Sequence, residues 1–122
     1  HINDLHSHFE QYPQLKRAVD DLSQTDRELI KVDLGDNVDK SHPLSDATAG
    51  RFNIALMNEL GIDYATIGNN EGIGLAKDEL DCLYEQAQFQ PIIGNLKLVQ
   101  KLLSWPIPFP ITLPMLPMVG RC

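Results

Sequence analysis

Segments of helical and strand periodicity alternate along this chain, and that alternation limits the fold more than any other feature. Leu15, Ala18, Val19 and Leu22 fall at i, i+3, i+4 and i+7, which predicts an amphipathic helix over 13–24. In "ELIKVDLGD", Ile30, Val32 and Leu34 alternate with Lys31 and Asp33, and Gly35 ends the run, so it reads as a strand. "VDKSHPLSDATAG" is polar and turn-rich and reads as a loop. "RFNIALMNEL" predicts a helix closed by Gly61 in a left-handed position. "DYATIG" predicts a short strand, 75–87 a helix with Ala76, Leu80, Leu83, Tyr84 and Ala87 aligned, and "PIIGNL" a last strand.

With the first residues read as a strand end, the order is (β)-α-β-α-β-α-β. Strands joined by helices of this length predict an α/β fold with a mostly parallel sheet. The expected form is a three-layer half-sandwich. In such sheets ligands collect beyond the carboxyl ends of the strands. Asp4 and His6 follow the first strand, Asp36 the second and "GNNEG" the third.

Each of these taken alone is ordinary loop polarity. On an extended segment, residues i and i+2 share a face, so "D-L-H" aims Asp4 and His6 at one point. "H-S-H" does the same for His6 and His8, and the spacing does not choose between them. Together, carboxylate, imidazole and amide oxygen from successive strand ends form a mixed nitrogen and oxygen set with no Lys or Arg among them. That set suits Mn, Zn or a similar divalent ion. The net charge of -7 argues against a nucleic-acid polymer or an anionic membrane as partner. An anionic substrate would need bound cations to offset it.

"NDLHSHFE", "DLGDNVDKSHPLS", "MNELGIDYATIGNNEGI" and "QPIIGNL" resemble the N-terminal half of a calcineurin-like metallophosphoesterase domain. The branch they look most like is the 5′-nucleotidase / 2′,3′-cyclic-nucleotide 2′-phosphodiesterase group. The resemblance covers about 1–96. It implies a partial metallophosphoesterase (α/β-β/α) fold and metal-dependent hydrolysis of the phosphate esters of nucleotides or other small phosphoesters. The family's D-x-H falls on Asp4 and His6, its G-D on Gly35 and Asp36, and its G-N-H-[ED] on Gly68, Asn69, Asn70 and Glu71. Asp4 and His6 would then hold one ion, Asp36 would bridge two, and Asn69 would hold the second through its amide oxygen. His8 would lie outside the ligand set.

The chain departs from the family pattern in two places. The residue expected to be a catalytic His is Asn70, which can donate a hydrogen bond but cannot exchange a proton near neutral pH. The later "GH" and "GHxH" ligand motifs have no counterpart, because the last histidine is His42. Asp4, His6 and Asp36 remain for one ion but only Asp36 and Asn69 for the other, so at most one weakly held ion is expected and activity would be weak or lost. The alternative is a non-catalytic metal-binding or oligomerising half-domain. In either case an exposed sheet face predicts a homo-oligomer.

Beyond Asn95 the character changes. Residues 97–122 are apolar, have no acidic side chain, and carry Pro106, Pro108, Pro110, Pro114 and Pro117. They do not look like the family's continuation and read as a separate tail from a truncated or frame-shifted end. No apolar run reaches the length of a membrane span. The chain opens on His1 and shows no leader, which reads as an incomplete N-terminus and leaves the compartment open. Cys82 and Cys122 belong to no CxxC motif, which argues against a zinc knuckle or a thioredoxin-type site and leaves a disulfide between them open.

Overall fold

A computed structural model describes residues 1–25 and 28–94. The expected tail at 97–122, and with it Cys122, lies outside the described residues. The elements run α1 (Tyr12–Thr25), β1 (Val32–Asp33), α2 (Pro43–Ala47), α3 (Arg51–Leu60), β2 (Tyr64–Ala65), α4 (Asn69–Gly72), α5 (Lys77–Leu83) and β3 (Gln90–Pro91). A 3-10 turn, Phe9–Gln11, precedes α1. The fold is mixed α/β around a small parallel sheet in the order β1-β2-β3. Val32 stands opposite Tyr64, and Tyr64 opposite Gln90. Ile2 adds a single parallel bridge to Asp33, which is all the strand character the N-terminal segment has.

The core lies between one sheet face and the helices. Ile54, Met57 and Leu60 recur along α3 and pack with Val38, Ala65, Leu83 and Phe89. Burying an Ile or a Met in this way stabilises by roughly 1.5–3 kcal/mol each. That is enough to carry Asn53 on the same buried face. Gly61 ends α3 at φ 66°, and its N–H reaches the carbonyls of Asn58 and Met57, as a left-handed helix end requires.

Several expectations change in the structure. The stretch 38–50 is not all loop. His42 caps α2, its Nδ1 accepting from the Leu44 amide at 3.2 Å, and Pro43 opens the helix. Proline suits that first position, but His is not among the usual capping residues, so the start was hard to read. The helix expected over 75–87 stops at Leu83, with Tyr84 as its C-cap. In α1 the apolar stripe fades, and Leu22 is 56% exposed. In the strands, Asp33 and Ala65 are buried and Val32 is half-buried, while Tyr64 and, just beyond the strand ends, Ile30, Leu34 and Ile92 are exposed. The apolar set of "ELIKVDLGD" is thus turned outward for the most part, and a buried Asp takes the inward position.

Candidate metal centre

The segment from Asp4 to Ser7 runs alongside Gly35 to Asn37. Three backbone bonds zip the two together: Asp4 N to Gly35 O at 3.1 Å, His6 N to Asp36 O at 3.1 Å, and Ser7 N to Asn37 O at 2.9 Å. A third loop joins them by close backbone approach. Gly35 has φ 96°, and a Cβ there would meet the Gly68 nitrogen at 2.6 Å. Only glycine fits such a contact at that φ.

One ligand atom from each of Asp4, His6 and Asp36 lies within 4.8 Å of the others. Asp4 has φ 55°, His6 φ 44° and Asp36 φ 55°, so all three sit in the left-handed region that non-glycine residues seldom occupy. Their convergence therefore does not come from the alternation of an extended strand. A tight left-handed turn points His6 at Asp4 (Nε2 to Oδ1, 3.9 Å), buries Ser7, and sends His8 out to Glu10 at 3.2 Å. Of the two partners left open for His6, the turn brings it toward Asp4 and carries His8 away.

Asn69 and Asn70 open α4. The Asn70 amide donates to Asp36 Oδ1 at 2.8 Å. Its side-chain nitrogen donates to Val38 O at 3.0 Å and faces His6 Nδ1 at 3.1 Å. Asn69 lies against the other carboxyl oxygen of Asp36. With its amide nitrogen toward Asp36, it donates to Oδ2 at 3.0 Å. The mixed nitrogen and oxygen donors of Asp4, His6 and Asp36 make the site chemically suited to a divalent ion.

Other residues support the site, and of these only Glu71, the acidic end of the G-N-H-[ED] match, was marked in the sequence. Glu71 is 1% exposed, and its carboxyl accepts from the amides of Asp36 (3.1 Å), Val38 (2.8 Å) and Gly68 (2.9 Å). Asp39 brings a second carboxyl to His6, Oδ2 to Nδ1 at 3.6 Å. The Ser41 groups beside Asp39 hold that carboxyl below its ordinary range, and the Ser41 amide donates to it at 2.8 Å. Lys40 is tied to Glu79 at 2.9 Å, and that pairing raises its pKa. A cleft of about 190 Å³ beside the site is lined by Val38, Asp39, Lys40, Ser41, Asn70 and Gly74. The one sequence signal for Glu71 was its place beside Gly68 and the two Asn.

Compared with known proteins, residues 1–111 match the family described as calcineurin-like phosphoesterase. An uncharacterised metallophosphoesterase of Bacillus subtilis, YunD, is 44% identical over 100 residues, which cover 79% of this chain and 22% of the relative. The chain thus spans about a fifth of the length of this curated relative. No solved structure matches the chain.

Proposed function

This chain belongs to the calcineurin-like phosphoesterase family, and from that premise we propose that it carries the first part of a site for metal-dependent hydrolysis of phosphoesters. The family as a whole uses divalent metal ions. The finer reading is a 5′-nucleotidase or cyclic-nucleotide phosphodiesterase type of substrate, a nucleotide or other small phosphoester. The observation that carries the proposal is the convergence of Asp4, His6 and Asp36 to within 4.8 Å.

A bound divalent ion supplies Lewis-acid polarisation of a phosphoryl oxygen. The protein's own part is to hold ligands and orient the substrate. Asp4, His6 and Asp36 form an open three-ligand set for one ion. Asp36 and Asn69 alone are too few to hold a second firmly, so we expect at most one weakly held ion per chain, Mn or Zn or similar. Asn70 is placed to donate to a phosphoryl oxygen. Of its two side-chain hydrogens, the one facing His6 is easier to give up, because releasing the other would leave Val38 O unpaired beside a buried residue. The leaving-group proton must come from another group, since Asn70 has none to exchange.

Calorimetric titration of Mn into the wild type and into Asp36→Ala tests the site. Binding by the wild type, together with loss of binding in the variant, supports it; equal binding by both removes Asp36 from the ligand set. Release of a chromogenic phosphodiester's leaving group in Mn then tests turnover.

A second reading rests on the exposed sheet face bearing Ile30, Leu34, Tyr64 and Ile92. In that reading the chain is a non-catalytic, metal-binding unit that self-associates through this face.

A further inference from the structure

Asn53 lies on α3, far from the site in sequence, and is fully buried. Its side-chain nitrogen has two hydrogens. One reaches Ser7 Oγ at 2.9 Å and the other the carbonyl of Asn37 at 3.0 Å. Its oxygen accepts from Ser45 Oγ at 2.8 Å. Ser45 spends its only proton on that bond, so in the 2.7 Å contact between Ser7 and Ser45 the donor is Ser7. The Asp39 amide donates to Ser7 Oγ at 2.8 Å. The donors and acceptors of Asn53 are thereby all matched.

The positions it touches matter. Ser7 directly follows His6, and Asn37 directly follows Asp36. One amide group therefore ties together the two loops that carry two of the three candidate ligands. Those loops are strained. His6, Ser7 and Asp36 have φ of 44°, 56° and 55°, a region that costs on the order of 1–3 kcal/mol per non-glycine residue and persists only where the surroundings enforce it. Tyr12 adds a further hold, donating to Asn37 Oδ1 at 3.0 Å.

We infer that Asn53 is a positioning residue for the metal site: by clamping Ser7 and Asn37 from the core, it sets the separation of His6 and Asp36. The inference rests on the metal-site reading above. A merely structural Asn53 would contribute to stability and leave ion affinity alone.

The test compares wild type, Asn53→Ala, Ser45→Ala and Ile54→Val as full chains. Ile54 is the next residue on α3, is equally buried, and touches neither loop through a polar group. Mn affinity is read by calorimetry, and thermal unfolding is read separately in chelator. The expected result for Asn53→Ala is Mn binding weakened by about tenfold or more, the range seen when residues that orient metal ligands are removed. Ile54→Val should unfold at lower temperature with wild-type affinity. Should Asn53→Ala not fold, Ser45→Ala carries the test, since it frees the Asn53 oxygen and should weaken Mn in the same direction. Wild-type affinity in whichever of these two variants folds, beside a wild type that binds Mn, overturns this inference alone. A wild type that binds no Mn overturns the site reading, and this inference with it.

Discussion

The side-chain nitrogen of Asn70 lies 3.1 Å from Nδ1 of His6, although 64 residues separate them. An amide nitrogen can only donate, so this contact favours Nδ1 as acceptor and a ring proton on Nε2, the nitrogen that faces Asp4, whereas Asp39 Oδ2, 3.6 Å from the same Nδ1, favours a proton there. Asn70 thus biases the tautomer of a candidate ligand against the pull of Asp39, a task normally left to a carbonyl or carboxylate.

Asn70→Ala should release that bias. The imidazole ¹⁵N shifts of His6 in metal-free protein should move from a mainly Nε2-protonated form toward a mixture of tautomers. The variant also leaves Val38 O without its partner, at a cost of about 1–3 kcal/mol. Unchanged shifts would mean that Asp39 or the backbone, not Asn70, orients the ring.

Glu71→Ala removes the acceptor of three amides at once, those of Asp36, Val38 and Gly68. Urea unfolding should show a loss of about 3 kcal/mol or more. Glu71→Gln keeps one oxygen for these amides and should lose less. A loss within the range of a surface substitution would show that water replaces the carboxyl at no cost.

Asp33 carries a pH dependence of definite sign. Burial pushes its carboxyl above the ordinary Asp value, against the pull of the Gly35 amide at 2.7 Å and the Asn37 side chain at 3.0 Å. The folded state therefore holds this proton more firmly than the unfolded state. Its contribution to stability grows as pH falls through the raised folded value toward the unfolded one, and levels off below that. Wild type should gain stability relative to Asp33→Asn across that window when urea unfolding is followed from neutral to acid pH. A difference that stays constant with pH would show that Asp33 does not titrate there.

The outward sheet face should govern assembly. Leu34 is 46% and Ile92 40% exposed, and both stand on the same side as Tyr64. We expect the wild type to self-associate in sedimentation at high micromolar concentration, and Leu34→Ser with Ile92→Ser to shift it toward monomer. A wild type that sediments as a clean monomer would remove the self-association reading.

Much of the local structure was legible in the residues themselves. The periods of α1 and α3, the left-handed stop at Gly61 and the order of strands and helices each depend on neighbours within about a turn. So does the placing of Asp4, His6, Asp36 and Asn69 just beyond strand ends. Tertiary structure decided the rest. Asp33 faces the core because Asn37 and the Gly35 amide await it there, and the apolar row around β1 is left mostly outside. His6 meets Asp4 rather than His8 because hydrogen bonds to Asp36 and Asn37 hold the chain in a left-handed turn. The roles of Asn53 and Glu71 are not visible in sequence, since most of their partners are distant: Ser7 and Asn37 lie 46 and 16 residues from Asn53, and Asp36 and Val38 lie 35 and 33 from Glu71, with only Ser45 and Gly68 close by. Periodicity records which side chains share a face. It does not record what that face meets, because a buried polar group is matched by whatever donor or acceptor the folded chain brings to it.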